Sequence, residues 1–228
     1  MKDEEILVTY KSCAIKQSDI DCLDDYTYLN DLIISFYYEI LNEKYDNDKI
    51  CLIDPAVSMS IVFDKDLDDI KDFIFNPLEL GKKKYIFVPI NDNETIEYKT
   101  KGSHWVLNII DVDNKVIYYL DSMLGNVNNA KVSKQKFSKL FGKKSGFVYA
   151  LENKYQTNSY DCGMFVLGFT ETILDFLKDN NYNKNCLNEN KFDDILKNKP
   201  RINQSNFSNF RKEIKQLIYN LIKNKKNK

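Results

Sequence analysis

No stretch of this sequence is apolar for long enough to cross a membrane. The acidic start Met1-Lys2-Asp3-Glu4-Glu5 is followed by nothing of signal-peptide form. A basic excess is missing too: 33 Lys and Arg face 34 Asp and Glu, a net charge of −1, which argues against a general nucleic-acid binder. The five cysteines, Cys13, Cys22, Cys51, Cys162 and Cys186, are odd in number, widely spaced and without a C-x-x-C pair. A disulfide framework and a zinc site are therefore not expected, and a reducing compartment is. Neither an internal repeat nor a dividing linker is visible. These absences leave a soluble intracellular protein, cytoplasmic or nuclear, expected to form one domain over residues 1–228 with a frayed basic tail at about 223–228. A chain of 228 residues buries about 70% of its unfolded surface without metal or disulfide, and no cofactor is called for.

What is present reads as helices, then strands, then helices. Residues 6–10 suit a short strand. A polar turn at 16–23 precedes a helix over 28–41, capped by Asn30 or Asp31, with Ile33, Phe36, Tyr37, Ile40 and Leu41 at helical spacing. Pro55 opens a second helix to about Phe63, and a third spans 66–75. The period then changes. Residues 84–90, 105–111 and 115–121 are strands, the last two joined by a hairpin at Asp113-Asn114. A helix over 132–141, a strand over 146–152, a helix from Cys162 to about Asp179 and a helix over 207–222 complete the chain. The order predicts an α+β fold with a central, mostly antiparallel sheet.

The join at Cys162-Gly163 sets a cysteine where a helix begins. Unpaired N–H groups and the positive end of the helix dipole would face its sulfur and favour the thiolate, the form that attacks carbonyls. Such a nucleophile needs a base, and the sequence holds one histidine, His104. A turn centred on Asp113-Asn114 pairs Val112 with Lys115 and Val106 with Asp121. His104, two residues from Val106, then shares one face with Asp121 at one end of the hairpin, at roughly 7–8 Å. Trp105, Leu107 and Ile109 would face the core with Val116, Tyr118 and Leu120, and His104 and Asp121 the other way. An aspartate on one ring nitrogen fixes the tautomer and leaves the other to take a thiol proton. Gln156, six residues before Cys162, can add an amide donor to the Cys162 N–H for an oxyanion. The other cysteines read as buried small hydrophobes.

Gly102-Ser103-His104-Trp105, Leu120-Asp121-Ser122 and Gln156-Thr157-Asn158-Ser159-Tyr160-Asp161-Cys162-Gly163 together resemble the Ulp/sentrin-specific family of ubiquitin-like-modifier cysteine proteases. The similarity runs from about Val8 to Lys178. Gln17-Ser18-Asp19, Tyr28-Leu29-Asn30-Asp31, Asn76-Pro77-Leu78-Glu79-Leu80 and Ile90-Asn91-Asp92-Asn93 are closer to its deneddylase branch than to its SUMO-protease branch. The resemblance implies a papain-like fold, a Cys162–His104–Asp121 triad with Gln156 at the oxyanion, and no metal or cofactor. It implies as partner a Nedd-type modifier, with SUMO or ubiquitin as alternatives, and conjugates such as neddylated cullins, but no nucleic acid or membrane. The modifier's tail would lie in a cleft under the loop 91–103, touching Asn91 and Asp92. Asp31 would pair with a basic residue on it, and Tyr28 and Trp105 would wall a tunnel that admits Gly-Gly. Tyr28 departs from the family's usual tryptophan. A Cys/His acetyltransferase and a non-catalytic binding module are the readings from other classes.

Overall fold

The computed structural model describes residues 4–95, 102–142, 145–183 and 185–226, with the backbone alone at 189 and 226. In chain order the elements are β1 (Ile6–Tyr10), β2 (Cys13–Lys16), α1 (Gln17–Asp21), α2 (Asp31–Tyr45), β3 (Ile50–Leu52), α3 (Pro55–Phe63), α4 (Leu67–Ile70), β4 (Tyr85–Asn91), β5 (Trp105–Asp111), β6 (Val116–Leu120), α5 (Asn128–Leu140), β7 (Gly146–Tyr149), α6 (Cys162–Asp179), α7 (Phe192–Leu196) and α8 (Phe207–Lys226). Helix starts follow from local chemistry. Asn30 accepts from the Ile33 N–H to cap α2. Asp54 accepts from Ala56 ahead of Pro55, whose missing N–H costs nothing in the first turn of α3. The helix expected over 66–75 is a short α4 followed by a π-helical turn, Lys71–Phe75.

Five strands form the main sheet in the order β3-β4-β5-β6-β7, and β1 and β2 form a separate hairpin. The architecture is α+β, as expected, but the sheet is mixed. β4, β5 and β6 are mutually antiparallel, whereas β3 lies parallel to β4 and β7 parallel to β6. The reason is connectivity. Between β3 and β4 the chain passes through α3 and α4, and between β6 and β7 through α5; such crossovers return a strand in the same direction. Alternation within single strands carries no sign of this. The three-residue β3 was not legible in the sequence.

The expected hairpin register holds: Leu107 faces Leu120 and Asp111 faces Val116. The face opposite the expected core face is a core face too. Val106, Ile110, Ile117 and Tyr119 are buried in a second core with Ala130 and Phe137 of α5 and Ile61 of α3. On the opposite face Trp105, Leu107, Ile109, Tyr118 and Leu120 pack into the larger core with α2, α6 and α8. The sheet is covered on both faces, so β4 and β5 are buried at every position, and their near-continuous apolar character is explained. The helix from Cys162 runs to Asp179, as read from the sequence, and is buried from Cys162 to Leu174.

Candidate active site

His104 sits one residue before β5 and Asp121 one residue after β6, so the hairpin register delivers both to the same corner of the sheet. Nε2 of His104 lies 2.8 Å from Oδ1 of Asp121. That carboxylate is held from all sides. Oδ1 accepts from the Met123 N–H at 2.8 Å and Oδ2 from the Tyr119 hydroxyl at 2.9 Å. The Tyr119 hydroxyl in turn accepts from the Val127 N–H. Tyr119 lies two residues before Asp121, on the same face; strand parity could have found it.

Cys162 enters from the opposite layer, on the first residue of α6. Asp121 and Cys162 both raise the pKa of the His104 ring, through hydrogen bonding and negative charge. With Nε2 taken by Asp121, Nδ1 is the nitrogen left for the thiol. Burial is the largest single influence on His104 and pushes its pKa down. Hydrogen bonds and negative charge from Asp121 and Cys162 outweigh it, and the pKa is raised to about 10. Burial acts on Asp121 in the opposite sense, upward. His104, the Met123 N–H and the Tyr119 hydroxyl overcome it and hold the carboxyl below its ordinary range. Cys162 itself stands where the first-turn N–H groups of α6 have no partner within the helix.

Gln156 is fully buried. Its Oε1 accepts from the Ser122 hydroxyl at 2.7 Å, its own N–H donates to the Ser122 carbonyl, and its Nε2 donates to the Asn158 carbonyl at 2.9 Å. Nε2 also donates to the Asn158 Oδ1, at a longer 3.4 Å. Ser122 thus couples the strand end that carries Asp121 to the loop that carries Gln156. The Asp161 carboxylate caps no N–H of α6, although it stands at the cap position. It accepts instead from Asn158, from Gln204 and, at 2.8 Å, from the buried Arg211 of α8. Nothing in the local sequence announces Arg211, fifty residues downstream.

A groove of about 340 Å³ is lined by Tyr28, Asn30, Asp31, Asn91, Asn93 and Trp105, among others. Four of the five expected substrate contacts therefore converge. Trp105 is the chain's one tryptophan, and its Nε1 donates to the Leu29 carbonyl at 3.1 Å. Leu29 packs on Gly163, where a Cβ would meet the Leu29 Cβ at 2.8 Å. The groove wall thus adjoins the cysteine. Tyr28 is about half exposed. Asp31 is the first residue of α2, not its cap; its Oδ1 accepts from Leu32 while the side chain stands open to the groove. Asp92 is placed differently. Its carboxylate accepts from the Ser103 N–H and hydroxyl and from the His104 N–H, so it fastens the chain into His104. A Cβ on Gly102 would collide with Asn91, which allows that close turn only to glycine. Asn129 of α5, not singled out in the sequence, donates to the carbonyls of Asn91 and Asn93. Within the expected covering loop 91–103, residues 96–101 lie outside the described residues. Among the described residues no group of three or more His, Cys, Asp or Glu stands together as a metal site, and no helix is long and apolar enough to cross a membrane.

A cysteine at the start of a buried helix, met by a His–Asp pair from an antiparallel hairpin, belongs to the papain-like cysteine peptidases. Comparison with known proteins makes the assignment narrower. Residues 27–226 match the model of the Ulp1 protease family, C-terminal catalytic domain. The chain belongs to this family and is a cysteine peptidase acting on ubiquitin-like modifiers. It is 30% identical to NEDD8-specific protease 1 of Arabidopsis thaliana, over 76% of this chain and 77% of that one. It is 31% identical to a probable sentrin-specific protease 8 of Dictyostelium discoideum, over 98% and 94%, and 32% identical to human sentrin-specific protease 8, over 75% and 82%. A solved structure of a de-sumoylating protease shares the fold, with a TM-score of 0.68 and 20% identity over 94% of this chain and 90% of that one.

Proposed function

We propose that the protein cleaves after the C-terminal Gly-Gly of a Nedd-type ubiquitin-like modifier, with Cys162 as nucleophile, His104 as acid and base, Asp121 as its orienter and Gln156 at the oxyanion. The observation that carries the reaction is the His104 ring, bonded to Asp121 at 2.8 Å, with Cys162 acting on its pKa from the start of α6. The Cys162 thiolate attacks the carbonyl carbon of the terminal glycine. Negative charge moves onto the carbonyl oxygen, where the Cys162 N–H and the Gln156 N–H that gives up its 3.4 Å contact with Asn158 Oδ1 receive it. As the C–N bond breaks, the His104 imidazolium gives its proton to the leaving amine. Water then attacks the thioester, His104 takes its proton, and the glycine carboxylate and the thiolate are released.

The tail enters along the groove between Tyr28 and Trp105, over Leu29. The only side chain that glycine carries is hydrogen, so a Gly-Gly end fits where Gly163 already brings the walls together. Asn91 and Asp31 are the tail contacts, and Asp92 acts by setting the approach to His104. Preference for the Nedd-type modifier is supported by the deneddylase-like segments and by relatives named NEDD8-specific protease and sentrin-specific protease 8. Conjugates such as neddylated cullins, in cytoplasm or nucleus, are the corresponding substrates.

The test is covalent capture by suicide probes built on Nedd-type modifier, SUMO and ubiquitin, with Cys162→Ala as the control. Capture of the Nedd-type probe, lost in Cys162→Ala, is expected. Capture of the SUMO probe in its place sinks the choice of modifier, and capture that survives Cys162→Ala sinks the choice of nucleophile.

A further inference from the structure

Aspartate is among the strongest helix N-caps, because its carboxylate accepts an N–H from the first turn. Asp161 stands at that position before Cys162 and makes no such bond. Its Oδ1 is drawn to Arg211 Nη2 at 2.8 Å, and both side chains are almost wholly buried. Arg211 is otherwise bonded to one segment only. Nη1 donates to the carbonyls of Cys22 and Asp24, and Nη2 to the carbonyl of Thr27. Thr27 leads directly into Tyr28 and Leu29, the groove wall. One guanidinium from the C-terminal helix thus ties the start of the nucleophile's helix to the strand of chain that walls the substrate tail.

We infer that Arg211 is a positioning residue for catalysis: it keeps the Asp161 carboxylate off the start of α6, so that the N–H groups there face the thiolate and the oxyanion, and it fixes residues 22–27 under the groove. The inference rests on Cys162 as the nucleophile. Without Arg211 the Asp161 carboxylate keeps only the neutral donors Asn158 and Gln204, both on Oδ2, and its Oδ1 can turn toward the start of α6, which places negative charge where negative charge must form. Cys162 acts on His104, which Asp121 holds, and Asp161, in its pair with Arg211, stands one residue before Cys162 in the chain. A change confined to that pair therefore reads out at Cys162.

The experiment is the pH dependence of iodoacetamide alkylation at Cys162, followed by peptide mass spectrometry, in the full chain. It needs no substrate, so it stands whether or not the choice of modifier survives the probe panel; Cys162→Ala in that panel tests the nucleophile separately. Arg211→Met is expected to move the acid limb of alkylation up by roughly one pH unit and to lower kcat roughly tenfold, with Arg211→Lys partly restoring both. Asp161→Asn moves the limb the other way. The double variant Arg211→Met/Asp161→Asn returns the limb toward wild type while KM stays raised, because the bonds to Cys22, Asp24 and Thr27 are still missing. A purely structural role gives no opposite-signed pair. An unmoved limb in Arg211→Met overturns the inference. Should that variant not fold, an unmoved or raised limb in Asp161→Asn overturns it instead.

Discussion

At the scale of single residues, the chemistry turns on how few groups are available. In the proposed reaction one histidine, His104, serves as both acid and base, and its pairing favours the imidazolium. The sign follows from its raised pKa of about 10. Its pairing stabilises the folded state fully below the ordinary histidine value and is lost as pH rises through about 10. Asp121 behaves in the mirrored way: its depressed carboxyl contributes above the ordinary aspartate value and loses that contribution as pH falls through the folded-state pKa. The kcat/KM profile should therefore keep its plateau through neutral pH and fall on an alkaline limb close to pH 10. A limb near the ordinary histidine value would show that the ion pair is not the resting state. Asp121→Asn is expected to lower kcat by roughly 10² to 10⁴, through loss of the tautomer and orientation that the carboxylate imposes. Gln156→Ala should lower kcat by roughly 10² to 10³, the value of one oxyanion donor. Steady-state assay on a fluorogenic modifier conjugate measures both, and a change in KM alone would move Gln156 from the oxyanion to ground-state binding.

At the scale of elements, the hairpin was the most legible part of the sequence and the sheet around it the least. His104 and Asp121 could be paired on paper because a two-residue period and a turn at Asp113-Asn114 fix a register without reference to anything else. The same reasoning named one core face, that of Trp105, Leu107 and Ile109, and left the second unread, because Val106, Ile110 and Tyr119 are covered by helices distant in sequence. The start of α6 was legible because a polar loop meets an apolar run at one residue. Arg211 was not, since a long-range ion pair leaves no local pattern; nor was Asn129, whose two bonds reach back to Asn91 and Asn93. The contact between Gly163 and Leu29 yields a prediction of its own. Gly163→Ala sets a Cβ 2.8 Å from that of Leu29, and overpacking of this kind costs about 1–3 kcal/mol. Because Leu29 is also the acceptor of the Trp105 N–H, the wall should shift outward and KM rise more than kcat falls. Denaturant unfolding and steady-state kinetics on one preparation separate the two effects.

At the scale of the whole molecule, the two cores share the central strands β4, β5 and β6, one on each face. Neither half has a face it could keep buried alone. Residues 1–228 are therefore expected to unfold in one transition, with tryptophan fluorescence and far-ultraviolet circular dichroism coincident in denaturant; two separated transitions would divide the chain into domains. Phe207, Phe210, Ile214 and Ile218 of α8 are buried in the larger core, so removal of α8 should abolish the folded state as well as catalysis. The single tryptophan has a use that reaches beyond packing. Trp105 stands in the wall of the tail groove, 7% exposed, with its indole N–H on the Leu29 carbonyl. Selective excitation of indole in this chain interrogates one side chain against fifteen silent tyrosines. The protein thereby carries a built-in optical probe of groove occupancy, and titration of inactive Cys162→Ala with different modifiers could rank their affinities from intrinsic emission alone, without a label and without turnover.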